Sequence, residues 1–93
     1  MKKIIRLNGK WAKSGDGEDR EVDIMGTPNV AILAQQKLYI SRHVYTVDWI
    51  TFDVNGDYTE RPLITGVETT ARKARLAADR ALRRYLSRTL EAA

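Results

Sequence analysis

Residues 44–66 read VYTVDWITFDVNGDYTERPLITG, and the dipeptide Asn55-Gly56 near their centre decides the fold. Asn-Gly supplies the two positive φ angles of a type I′ turn. Runs of β-branched and aromatic residues flank it, so the stretch predicts a β-hairpin. A two-residue loop sets Val54 opposite Asp57. Counting back in strict register sets Trp49 opposite Pro62 and Val47 opposite Ile64, with Tyr45 on the same face, the expected core face. The other face would carry Ile50, Phe52 and Leu63 among Asp48, Thr59 and Arg61, a mixture that invites cover by the amino-terminal segments or a partner. Pro62 has no amide hydrogen to donate, which predicts a free edge or a bulge in its strand.

Gly66 is expected to end the sheet, and a helix to begin between Thr65 and Thr70. Thr65 and Glu68 have capping-box spacing, with Thr69 as an alternative cap. At 100° per residue, Ala71, Ala74, Ala78, Ala81, Leu82 and Tyr85 fall in one arc, with Leu86 at its margin. Small residues let such a helix lie close on a sheet. About twenty residues make a rod roughly 30 Å long, enough to cross it.

Upstream the signals are weaker. Lys3–Leu7 reads as a strand, Asn8-Gly9 as a hairpin turn and Lys10–Lys13 as a short return strand. SGDGEDRE, residues 14–21, reads as a solvated loop, and Val22–Met25 as another short strand. Residues 27–41, TPNVAILAQQKLYIS, allow two readings. Thr27 as cap with Pro28 at the first helical position starts a helix, whereas Val30, Ile32, Tyr39 and Ile40 favour a hairpin that turns in AQQK, residues 34–37. The hairpin is the favoured reading. The sequence therefore predicts an α+β fold: a small antiparallel β-sheet covered on one face by a long C-terminal α-helix. Residues 1–93 form a single domain, with strands within about 3–65 and the helix over about 67–90.

Composition narrows the function. Ninety-three residues, 43% apolar and 30% charged, suit one soluble globular core. The absence of cysteine excludes a disulfide framework, a thiol nucleophile and thiolate zinc sites. The opening MKKIIRLNGKW has too short an apolar run for a signal peptide, and no segment has the length of a bilayer span. The expectation is a cytoplasmic protein with no membrane partner.

Seven of the sixteen basic residues but only two of the twelve acidic ones lie in residues 68–90. Opposite the apolar stripe, the helix would present Arg72, Lys73, Arg80, Arg83 and Arg84, flanked by Arg75 and Arg88, with Leu76 at the centre. Asp79, four residues from both Arg75 and Arg83, is expected to pair with either. One reading is a solvated face. The other is a binding face: nearly unmixed arginine incurs like-charge repulsion at Arg80 and Arg84, guanidinium forks match phosphate and carboxylate, and a leucine within a charged rim suits a protein contact. The candidate partner- or phosphate-binding residues are Arg72, Lys73, Leu76, Arg80, Arg83, Arg84 and Arg88.

No catalytic constellation emerges. Ser41 and His43 would share a strand face without an acidic group to orient the histidine. Asp16, Glu18, Asp19, Glu21 and Asp23 offer oxygen ligands but lack the sixth-position glycine and terminal glutamate of an EF-hand loop. There is no phosphate-cradling glycine loop. Trp11 and Trp49 read as core residues, an exposed tryptophan being the alternative as interface anchor or stacking platform. The protein is expected to be no enzyme and to use no cofactor or metal.

From Tyr45 to Leu86, a strand, a tight NGD turn, a second strand, a glycine and an alanine-rich helix resemble the arm-binding domain of phage integrases and the related plant AP2 type. There a three-stranded sheet enters the DNA groove, and the equivalent face here would offer Arg61 with Asp48 nearby. AADRAL, residues 77–82, resembles the last helix of double-stranded RNA-binding domains, a fold whose opening helix has no counterpart in this chain. In format, a short cysteine-free sheet with one helix, the whole chain resembles accessory proteins of phages and mobile elements, anti-CRISPR inhibitors among them. That resemblance implies a small non-enzymatic inhibitor or adaptor whose basic helix face binds a host nucleic-acid-processing or nucleoprotein complex. The integrase-like resemblance implies the alternative, a nucleic-acid-binding module contacting DNA or RNA phosphates with the same arginines. The sequence does not set the oligomeric state.

Overall fold

The computed structural model describes residues 7–24 and 26–92, with side chains as far as Arg88. The chain runs β1 (Ala12–Ser14), β2 (Gly17–Asp23), β3 (Asn29–Tyr39), β4 (Arg42–Phe52), β5 (Tyr58–Glu68) and α1 (Ala71–Ala92). The strands form one antiparallel sheet in the order β1-β2-β3-β4-β5, so each strand pairs with its neighbour in sequence. The helix α1 packs against β3, β4 and β5. The α+β architecture is the one the sequence predicts, and its shortest dimension of 19 Å leaves room for a sheet and one helix layer only. Among the described residues no helix is long and apolar enough to cross a membrane.

The β4–β5 hairpin forms where Asn55-Gly56 places it, but not through a two-residue turn. Asp53 takes over the loop: its Oδ1 accepts from the amides of Asn55 and Asp57 at 2.8 and 3.0 Å, and its own amide donates to the Asp57 carbonyl at 2.9 Å. Gly56 alone supplies a positive φ, 85°. An aspartate that binds two amides outcompetes the tighter turn. Pairing therefore begins at Phe52–Tyr58, and Trp49 lies opposite Arg61 instead of Pro62. A bulge beside Val47 then inserts Leu63 and restores the expected Val47–Ile64 pair. Two one-residue offsets cancel. Between them, Arg61 and Leu63 move to the helix side and Pro62 to the outer face. Pro62 thus sits on an edge strand and at a bulge, both of which its missing donor foretold.

Gly66 does not end the sheet. It lies within β5, where a Cβ would collide with the ring of Tyr45. The strand runs on to Glu68, and the cap is Thr70, not Thr65 or Thr69: its Oγ1 accepts from the Lys73 amide at 3.1 Å. The helix accordingly starts at Ala71, later than the expected 67.

The amino-terminal half departs further. Of the expected strand Lys3–Leu7, residues 3–6 lie outside the described residues. Asn8 makes no hairpin turn, because its side chain bonds both backbone groups of Asp23, at 2.8 and 3.2 Å. The first described strand is Ala12–Ser14 rather than Lys10–Lys13. SGDGEDRE is no loop: Gly15, with φ 58°, and Asp16 turn the chain, and Gly17 begins β2. Val22 and Asp23 close that strand, while Met25 lies outside the described residues. Residues 27–41 form neither a helix nor a hairpin turning at 34–37. AQQK lies inside β3, and the chain reverses at Ile40-Ser41 with Ser41 at φ 59°. That stretch is paired with strands on both sides, and the buried Gln35 donates from Nε2 to Glu18 Oε1 at 2.7 Å across the sheet.

The core lies between the layers. Val22, Ala31, Leu33, Val47 and Trp49 of the sheet meet Ala78, Leu82 and Leu86 of α1, and the Trp49 ring tilts against Tyr85 at 5.2 Å. Each fully buried leucine or valine contributes about 1.5–3 kcal/mol over an exposed one. The seated stripe of α1 is Ala74, Ala78, Asp79, Leu82 and Leu86, rotated from the expected arc so that Leu86 is buried and Ala81 is not. The rotation brings Asp79 under the helix.

Candidate functional site on the outer face of the helix

Burial of that stripe turns the opposite side of α1 to solvent. Arg72, Lys73, Leu76, Arg80, Arg83, Arg84 and Arg88 are all exposed, so the helix brings the predicted residues onto one outer surface. Leu76, 42% exposed, sits among them. Lys73 Nζ approaches Thr69 Oγ1 at 3.4 Å. The five arginines make no ion pair or hydrogen bond with the described residues.

Asp79 and Arg75 of the helix behave differently from the sequence expectation. Asp79 pairs with neither Arg75 nor Arg83. It faces the sheet, where Arg20 Nη1 donates to its Oδ1 at 3.1 Å and Trp11 Nε1 donates at 3.2 Å. The remaining Arg20 donors reach the carbonyls of Leu7 and Asn8, at 2.9 and 3.1 Å. The Arg20 and Asp79 side chains are 12% and 10% exposed, which makes this a buried pair in which each guanidinium nitrogen has an acceptor. Arg75 reaches across to Glu18 on β2. Helix charges are thus sorted: those on the β2 side are neutralised by the sheet, and those on the outer side meet no carboxylate among the described residues.

That arrangement has an electrostatic cost in the isolated molecule. Arg80, Arg84 and Arg88 follow one another at i, i+4 spacing, and each like-charged pair destabilises a helix by about 0.2–0.5 kcal/mol. On the β5 side of α1, Leu63, Ile64, Ala81, Arg84, Tyr85 and Arg88 line a shallow groove. Its floor is apolar and two guanidinium groups stand at its lip. Arg61 donates to the Tyr85 hydroxyl at 2.7 Å along the same edge. Sequence reasoning placed Ile64 on this face but Leu63 on the other, because two consecutive residues can serve one face only through the bulge, and the bulge had no signal beyond Pro62.

The remaining candidates are structural. His43 donates from Nδ1 to Gln35 Oε1 at 3.2 Å, in a chain that continues through Glu18 to Arg75. Ser41 lies at the hairpin tip, outside that chain. Among the described residues no three His, Cys, Asp or Glu side chains gather as a metal site. The acids of β2 alternate between faces and do not converge. Trp49 is buried, and Trp11 packs against the core with its N–H on Asp79. Comparison of the chain with protein-family models, with curated proteins and with solved structures gives no match.

Proposed function

We propose that the protein is a non-enzymatic inhibitor or adaptor that docks the outer face of α1 on an acidic protein surface of a nucleic-acid-processing or nucleoprotein complex. The observation that carries this reading is the grouping of Arg72, Arg80 and Arg83, without an ion pair among the described residues, around the exposed Leu76. Leu76 is the apolar anchor. The arginines ring it as a charged rim whose forks match carboxylates, and Lys73, Arg84 and Arg88 extend the rim toward the groove beside β5. The kind of partner comes from the format shared with phage accessory inhibitors.

Direct grip on nucleic acid is supported less well. A phosphate surface has no use for the leucine, and the outer strand residues that would help a lone helix hold a duplex are acidic on β2: Asp19, Glu21 and Asp23.

The test is capture of partners from host lysate with the full-length protein, before and after nuclease treatment. The expected partner survives nuclease and is lost with either Leu76→Asp or Arg83→Glu, each weakening binding by tenfold or more, as a central interface residue does. Tight binding to generic DNA or RNA would replace this reading, given a log–log salt slope of about −0.9 per contacted phosphate and indifference to Leu76→Asp.

A further inference from the structure

The face of the sheet turned away from α1 is built on the plan of the helix's outer face with the sign reversed. Its centre is apolar: Val30 pairs with Ile50 and, at one end, Phe52 pairs with Tyr58, whose rings lie 6.1 Å apart. Phe52 and Tyr58 are 39% and 65% exposed, and no described element packs over this side. Around the apolar centre the register sets carboxylates. The row through Val30 and Ile50 ends in Asp23 on β2 and Glu60 on β5, and Ile32 lies between Glu21 and Asp48. Asp19 extends the acidic column along β2.

None of these five side chains makes an ion pair or side-chain hydrogen bond with the described residues. Aspartate is a poor strand former, and three acids two residues apart on one strand face each stand only about 7 Å from the next. A single cation, Arg42, shares this face among the described strand residues, and it stands at the far end of β4. Antiparallel sheets do present a face to water, but such a face is normally polar throughout rather than apolar with a one-signed frame.

We propose that this face receives the outer face of α1 from a second copy of the chain, head to tail. Complementarity of sign and plan carries the assignment: Leu76 among arginines meets Ile32 and Ile50 among carboxylates. A helix of 22 residues, about 33 Å long, already lies across the other side of this sheet, and helices on both faces of a sheet are a standard layered arrangement. Each copy uses two different surfaces, so the contact is heterologous and propagates unless a ring closes it. Assembly and the partner docking proposed above would compete for one helix face, but assembly needs no such partner.

Sedimentation of the full-length protein tests it, at about 50 mM and about 500 mM salt, where screening differs severalfold. The expected result is association that grows with concentration at low salt and weakens tenfold or more at high salt. Two neutralising variants locate the faces: Glu21→Gln/Asp48→Asn/Glu60→Gln on the sheet, and Arg80→Gln/Arg83→Gln on the helix. Each alone should associate at least tenfold more weakly than the parent, with circular dichroism showing that it is folded. Mixed, they should form a 1:1 pair, because each retains the face the other lacks. A parent protein that stays monomeric at low salt overturns the proposal. So does association lost in the sheet variant alone, which would mean a face-to-face dimer, or a mixture no stronger than its components.

Discussion

On the helix-covered side, β2 contributes Glu18 and Arg20, and each meets an opposite charge on α1, Arg75 and Asp79. On the open side the same strand contributes Asp19, Glu21 and Asp23, and none meets a cation among the described residues. The two sets alternate along seven residues, so composition does not separate them; exclusion of water does. A charge taken under the helix loses its hydration and is retained only with a partner and filled hydrogen bonds, whereas one left in water keeps its solvation and needs neither.

Substitutions can break this contrast, and Ala78→Glu should be the most damaging. Ala78 has no exposed surface, and a carboxylate there would be overpacked, unpaired and buried. The expected loss is about 5 kcal/mol, most of the stability of a domain this size. Urea unfolding of this variant beside Arg83→Ala, which should change stability by no more than about 0.5 kcal/mol, also checks the helix phase. Similar midpoints would mean the wrong side of α1 is seated.

Asp79→Ala comes next, at about 3–5 kcal/mol, because it strands the Arg20 guanidinium under the helix. Replacing both partners, Arg20→Met with Asp79→Leu, should recover most of that loss in the same unfolding experiment. Failure to recover would show that the pair specifies the seat of α1 rather than merely neutralising it.

Glu18→Ala should cost less, about 1 kcal/mol or below, since the Arg75 and Glu18 side chains are 30% and 25% exposed. At the small end, Glu21→Gln should be neutral or stabilise by a few tenths of a kcal/mol, as it removes one of three neighbouring like charges. Thermal melting at low salt, at a protein concentration low enough to keep the chain monomeric, is the sensitive readout. A clear drop in melting temperature would mean the open face has a cation that the contrast denies it.

The legible parts of the fold are those whose signal is local. Asn55-Gly56 with its flanking β-branched runs marks the hairpin, alternation assigns Tyr45, Val47 and Trp49 to the core, and 3.6-residue spacing exposes Leu76 and the arginines. What was illegible depends on groups far apart in the chain. Asp79 looks like a surface aspartate until Arg20, 59 residues away, lies beneath it. The strand β2 looks like a loop because both of its faces are charged, and only the helix distinguishes Glu18 and Arg20 from their neighbours. The turn at Ile40-Ser41 lacks glycine and asparagine, so nothing announced it, and AQQK was the more polar choice. The hairpin register was missed by one residue because the Asp53 side chain outcompeted the turn dipeptide that follows it.

The contact between Trp11 and Asp79 joins residues 68 apart in sequence, and the protein's second tryptophan, Trp49, leans on Tyr85 of the same helix. Both indoles therefore change surroundings when α1 lands on the sheet, Trp11 from outside the strands and Trp49 from within β4, where it already lies opposite Ala31 and Arg61. In a stopped-flow refolding trace of a Trp49→Phe variant, the fluorescence of Trp11 will time the arrival of the helix against the segment that precedes β1. The meander itself, whose strands pair in sequence order, is left to be followed by its far-ultraviolet dichroism, so the interval between the two signals separates sheet formation from closure.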